Sequence, residues 1–214
     1  MFIFSQTNSI ANHFIAEMRD VEIQKDRPRF RHNLERMGEL FAFEISKKLD
    51  YQSTSLTTPL GTSTTSLISQ PIVLAAVLRA ALPLYQGLLR FFDQAESAFI
   101  GAYRSPHRED HSFEIIRDYA VSPSLDDKVL IVIDPMLATG QSILAAYEAL
   151  SAYGKPASVH LVSIIASAAG VAFIQANLPS SHLWIGALDQ ELNYKSYIIP
   201  GLGDAGDLAF GAKI

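Results

Sequence analysis

The chain has 214 residues, a formal net charge of -5, 49% hydrophobic residues and 18% charged residues. This composition can bury a sizeable core and excludes a disordered chain, while the acidic balance argues against a general nucleic-acid surface. The absence of cysteine excludes a disulfide framework and thiolate chemistry and fits a reducing, cytoplasmic setting.

The length suits one domain over 1–214. The start, MFIFSQTNSIANHF, has no basic region ahead of a long apolar run, so no signal peptide is expected. No apolar stretch approaches a membrane span. Ser5 to Arg19 reads as an arm or short amphipathic helix. Lys25, Arg27, Arg29 and Arg31 form a basic run; a solvated helix start accounts for it better than an anion site. Leu34, Met37, Leu40, Phe41, Phe43, Ile45 and Leu49 recur at helical spacing, which predicts a long packed helix over Phe30–Leu49 with its aromatics in the core. Tyr51 to Ser69, rich in Ser and Thr around Pro59-Leu60-Gly61, predicts two short strands and a turn.

Pro71 to Leu78 reads as a buried strand, followed by Arg79 and a helix from about Ala81 to Phe92. Ser97 to Tyr103 is a further apolar strand, ending in Arg104. In the charged stretch Ser105 to Asp118, His107, Asp110 and His111 could pass for metal ligands. Pro106 and the lack of helical period argue instead for a mobile loop that closes over a site. Phe113 to Val121 is expected to return as a strand.

The centre of the chain is Lys128 to Glu148. Val129 to Ile133 is an unbroken aliphatic run, as in a strand buried on both faces. Asp134 and Pro135 end it. A loop from Met136 to Gln141 precedes helical periodicity from Ser142 onward. A loop so placed points N–H groups at whatever lies over the helix N-terminus, which makes a phosphate cradle. Thr139 and Ser142 would add hydroxyl donors. Ser158 to Ile165 reads as a strand, Ala168 to Asn177 as a helix, and Leu183 to Leu188 as the last sheet strand, ending at Asp189. The alternation predicts an α/β fold with a doubly wound, mostly parallel sheet. Arg79, Arg104, Asp134 and Asp189 then share the edge where such sheets bind ligands. GLGDAG, at 201–206, satisfies the dinucleotide pattern, but too few residues follow it to build the required unit. Its glycines imply backbone packed close to a ligand.

The string DPMLATGQS, at 134–142, closely resembles the phosphoribosyl-diphosphate (PRPP) binding motif of the type I phosphoribosyltransferases, in the form carried by the uracil phosphoribosyltransferases. VLRAAL at 77–82 is similar to their pyrophosphate loop, AYR at 102–104 to a second PRPP contact, and PGLGDAGD at 200–207 to their uracil-binding loop. MRD at 18–20 and the helix after it are similar to their N-terminal region. The departures are Ala81 and Gln141 for glycine, and Leu208 where a cation is common.

This resemblance implies a phosphoribosyltransferase-like sheet under a small hood from the N- and C-terminal segments. It divides the domain into an arm and helix over about 1–50, an α/β core over about 70–190, and a uracil-binding loop and tail over about 191–214. It implies pyrimidine salvage, in which uracil and PRPP give UMP and diphosphate. PRPP would be bound by Arg79, Arg104, Asp134, Pro135, Met136, Leu137, Ala138, Thr139, Gly140, Gln141, Ser142 and Asp204. Uracil would be bound by Ile198, Gly203, Asp204 and Ala205. Asp134, Arg79 and Arg104 would position and stabilise charge in catalysis. Mg²⁺, held mainly by PRPP and water, a homodimer or homotetramer, and nucleotide binding that includes GTP are further implications. Neither nucleic acid nor membrane is expected as a partner. Two other readings are an RNA-binding regulator of pyrimidine genes on the same fold, which predicts a basic face, and a transferase for another base or a weakened paralogue.

Overall fold

The computed structural model describes residues 1–104 and 115–212, with the main chain alone for residues 102–104 and 115–118. The chain opens with strand β1 (Phe2–Ile3) and helix α1 (Ala11–Arg19). Asp26 caps helix α2 (Arg27–Ser46): its carboxylate accepts from the Arg29 N–H, and Pro28 occupies the first turn, where its missing N–H costs nothing. Glu17 ties α1 to α2. Hydrogen bonds from Arg29 and then Asn33 hold its carboxyl down to about 2. The hairpin β2 (Tyr51–Thr58) and β3 (Gly61–Ile68) stands as a separate sheet. Then come β4 (Ile72–Leu78), α3 (Leu82–Phe91), β5 (Glu96–Arg104), β6 (Ile115–Val121), β7 (Val129–Ile133), β8 (Met136–Leu137) and α4 (Gln141–Leu150). The chain ends with β9 (Ser158–Ser167), α5 (Ala168–Asn177), β10 (His182–Asp189), β11 (Glu191–Leu192), β12 (Ile198–Ile199) and α6 (Ala205–Phe210). No helix among the described residues is long and apolar enough to cross a membrane.

The main sheet runs β1-β10-β9-β7-β4-β5-β6, with β8 also pairing with β9; only the β5–β6 pair is antiparallel. This is the expected doubly wound α/β sheet. Side-chain alternation sorts its two faces. Leu74, Ala76, Ile131 and Ile133 join the core under α1, α2 and α3. Val73, Ala75, Leu130 and Val132 join a second core with Ile143, Ala146 and Ile174 of α4 and α5. The crossover from β4 leads to β5, whereas that from β7 leads to β9 on the other side. The strand order therefore reverses between β4 and β7, and a crevice opens at their C-terminal ends. The N- and C-terminal segments meet there as a hood: Arg31 Nη1 donates to the Ala209 carbonyl at 2.7 Å.

Several expectations need correction. Phe43 is 54% exposed and lies under Lys47, whose Nζ is 4.2 Å from the ring centroid, so it is not core. The hairpin strands are not short; the serines and threonines run along eight-residue strands. Residues 136–137 are not loop, because the Pro135 carbonyl accepts from the N–H groups of Ile164 and Ile165 and carries Met136 and Leu137 alongside β9. The C-terminal glycine-rich segment ends in a short helix, α6. His107, Asp110 and His111, with the loop assigned to them, lie outside the described residues.

Candidate active site

The site begins where β7 ends. The Asp134 N–H donates to the Val162 carbonyl at 3.1 Å, and its carboxylate accepts from the Met136 N–H at 3.2 Å. Two serines of β9 grip the main chain that follows. Ser163 Oγ donates to the Asp134 carbonyl, and Ser167 Oγ donates to the Ala138 carbonyl, each at 2.5 Å. Ser167 also caps α5, accepting from the Gly170 N–H at 2.8 Å. With these carbonyls drawn toward β9, the loop turns into α4 through Gly140, whose φ is 84°. A Cβ there would lie 2.7 Å from Phe173, so both conformation and space demand glycine. Gly140 has no side chain to cap α4, and the Thr139 hydroxyl meets the Gln141 N–H only at 3.5 Å. The loop and the first turn of the helix line a small open hollow bounded by Met136 to Gly140, Ser142 and Ile143. First-turn N–H groups with no cap, at the positive end of a helix dipole, suit an anion.

The departures from the family pattern fit this geometry. Gln141 is the exposed first residue of α4 and is not among the non-glycine residues with positive φ. Ala81 has φ -70° and ψ -18° and is fully buried, a conformation that needs no glycine. Leu208 packs against the core, which a charged side chain would not do.

Arg79 follows a cis peptide with Leu78. Its Nη2 donates to Asp207 Oδ1 and to the Gly211 carbonyl, both at 3.3 Å, with 45% of the side chain exposed. Asp204 caps α6 by accepting from the Asp207 N–H at 3.0 Å. The PGLGDAGD loop is thereby carried to the end of β4. Asp134, Arg79 and Arg104 end the neighbouring strands β7, β4 and β5, so the sheet brings their main chains to one edge. The Arg104 side chain lies outside the described part.

The C-terminal loop hangs from the β11–β12 ladder, closed by Asn193, whose side chain accepts from the N–H groups of Lys195 and Tyr197. Ile198 and Ala205 bury their side chains, at 4% and 2% exposure, while Gly203 is exposed. These positions therefore present main chain. Asp189 ends β10 at the C-terminal edge of the sheet, as expected, but is engaged by the protein itself. It is 8% exposed and receives the Arg19 guanidinium, with Nη1 and Nη2 each 2.8 Å from a carboxylate oxygen. Ser163, Ser167, Asp207 and Arg19 were missed in the sequence. Ser163 and Ser167 belong to no local pattern, Arg19 and Asp207 lie in the MRD and PGLGDAGD strings without a role legible there, and their partners are distant in the chain.

A family model for uracil phosphoribosyltransferase matches residues 5–212. The chain belongs to the uracil phosphoribosyltransferase family. It is 50% identical over 208 residues to a uracil phosphoribosyltransferase of Porphyromonas gingivalis, covering 97% of this chain and 96% of that one. It is 40% identical over 185 residues to one of Methanothermobacter thermautotrophicus, covering 85% and 83%. A solved structure of an Aquifex aeolicus protein superposes with a TM-score of 0.88 over the full length of both chains, at 27% identity. The uracil phosphoribosyltransferase motifs thus lie on one continuous relationship and not on an isolated loop.

Proposed function

We propose that this protein transfers the phosphoribosyl group of PRPP to uracil, giving UMP and diphosphate. The observation that carries the reading is the uncapped, glycine-opened N-terminus of α4 in the crevice between β4 and β7, with the PGLGDAGD loop tied beside it through Arg79 and Asp207. In this reading the 5′-phosphate sits on the main chain of Ala138 to Ser142, with the Thr139 and Ser142 hydroxyls as further donors. Asp134 accepts from the ribose hydroxyls; Pro135, Met136 and Leu137 wall that side. Leu137 is 1% exposed and offers a ligand only its main chain. Arg79 and Arg104 take the diphosphate. The bond from ribose C1 to the diphosphate oxygen breaks, the bond to uracil N1 forms, and the N1 proton leaves to solvent. The chain acts by positioning both reactants and by placing cations where negative charge gathers on the leaving group.

Among the described residues no group of three or more His, Asp or Glu could hold a metal ion. Mg²⁺ would arrive on PRPP with water and substrate oxygens as most of its ligands, and Asp204 is the residue of the base loop that could add one. When bound, the ion would neutralise the diphosphate charge. Uracil is read by main chain of Ile198 and of Gly203, Asp204 and Ala205: a carbonyl accepts from N3–H and an N–H donates to O4. A cytoplasmic location and a homodimer or homotetramer are finer parts of the same reading. Light scattering tests the second.

The deciding assay is kcat/KM for uracil, cytosine, hypoxanthine and xanthine at saturating PRPP and Mg²⁺. Cytosine turns both hydrogen bonds into mismatches, so uracil is expected to lead by about 10⁴-fold. Comparable use of cytosine, or preference for a purine, refutes the base assignment.

A further inference from the structure

We infer that Arg19 and Asp189 form a positioning clamp that sets the main chain of the base loop, and through it the affinity for uracil, without touching either substrate. The inference rests on the base assignment above. Arg19 is the last residue of α1 and Asp189 the last of β10, 170 positions apart. Their contact is a planar fork on a carboxylate, with both N···O distances at 2.8 Å. Each partner also holds one polar group of Gly201. Arg19 Nη1 donates to the Gly201 carbonyl at 2.9 Å, and the Gly201 N–H donates to Asp189 Oδ2 at 2.9 Å.

One ion pair thus fixes both ends of a single loop residue. Gly201 has φ +58°, and a Cβ there would lie 2.2 Å from the Ile198 carbonyl, so the turn is tight as well as anchored. It stands between Ile198 and Gly203, whose main chain is assigned to the base. A rotation at Gly201 would swing those groups off the uracil edge. A buried ion pair is a poor route to stability, since removing both charges from water offsets most of the attraction. Its value here lies in direction: the guanidinium fork sets the plane of the carboxylate and the carbonyl together. The phosphate loop is anchored separately, by Ser163 and Ser167. The clamp should therefore act on uracil more than on PRPP.

The test compares wild type with Arg19→Met, Arg19→Lys and Asp189→Asn by steady-state kinetics in both substrates, with thermal melts alongside. The expected result is a KM for uracil raised at least ~10-fold in Arg19→Met, roughly 1.4 kcal/mol of binding, and less in Arg19→Lys, which keeps the charge but loses the fork. KM for PRPP is expected to stay within about threefold of wild type, a spread under one kcal/mol. Unchanged KM for uracil in folded variants overturns the inference. So does an equal rise for both substrates, which marks general loosening. If Arg19→Met does not fold, the other two variants decide on the same criteria; loss of folded protein in all three also counts against it, because the pair would then hold the fold and not the loop. Wild-type protein that fails to use uracil would instead sink the base assignment.

Discussion

Replacing Ser167 with alanine tests the anchor of the phosphate loop most directly. Its hydroxyl is fully buried, donates to the Ala138 carbonyl at 2.5 Å and accepts from the Gly170 N–H at 2.8 Å. Alanine removes both bonds. Loss of the cap on α5 costs about 1 kcal/mol. Stranding the buried Ala138 carbonyl costs about 1–3 kcal/mol more. The sum is about 2–4 kcal/mol, and at this chain length each kcal/mol lowers Tm by roughly 2–4 °C, so Tm should fall by roughly 5–15 °C. A second effect is specific to the site. The freed carbonyl is an acceptor beside a phosphate that wants donors, so KM for PRPP should rise while KM for uracil changes less. Urea melts and two-substrate kinetics measure both. A Tm loss below about 2 °C together with unchanged KM for PRPP would refute the reasoning.

Three further outcomes are expected. Arg79→Ala should lower kcat/KM for PRPP by about 10- to 150-fold, the equivalent of losing one hydrogen bond to a charged group at about 1.5–3 kcal/mol; wild-type kinetics would reduce Arg79 to a surface tie for Asp207 and Gly211. Gln141→Gly should leave kcat/KM within about threefold, because Gln141 already has helical backbone and the phosphate needs only its N–H; a gain above about tenfold would show that the side chain impairs the site. Burial, and then the neighbouring His182, push His160 from 6.5 down to about 4, and its Nδ1 accepts from the Trp184 indole N–H at 3.0 Å. The unfolded chain therefore binds this proton more readily, so stability is full above pH 6.5 and is lost as pH falls toward 4. Wild type should lose about 3 kcal/mol more than His160→Gln over that range by urea titration; parallel pH profiles would count against a neutral buried imidazole.

Much of the fold was legible because it rests on local pattern. Val129 to Ile133 is an aliphatic run with no polar interruption, as in a strand covered on both faces, and Ser158 to Ile165 is aliphatic apart from Ser158, His160 and Ser163. Gly140 was legible as a turn residue, and Asp134 as the polar end of a strand, since both follow from position in a strand–loop–helix unit. Phe43 was misplaced because helical spacing alone does not say how wide the buried stripe is; α2 packs on α3 and α1 along a face that excludes it. Met136 and Leu137 were read as loop because a two-residue parallel pairing depends wholly on the strand beside it.

The amino-acid order by itself determined the alternation of strands and helices, the place of the phosphate loop and the order of the binding motifs, because each element and each motif is written in consecutive residues. Only the tertiary structure decided which distant residues hold those motifs still. Ser163 and Ser167 reach back from β9 to the carbonyls of Asp134 and Ala138, Asp207 reaches Arg79, and Arg19 crosses the molecule to Asp189 and Gly201. A serine or an arginine carries no mark of its partner in the chain. Its hydrogen bond is chosen by what the sheet order and the packing of α1 bring within hydrogen-bond reach, and that choice exists only once the core has closed.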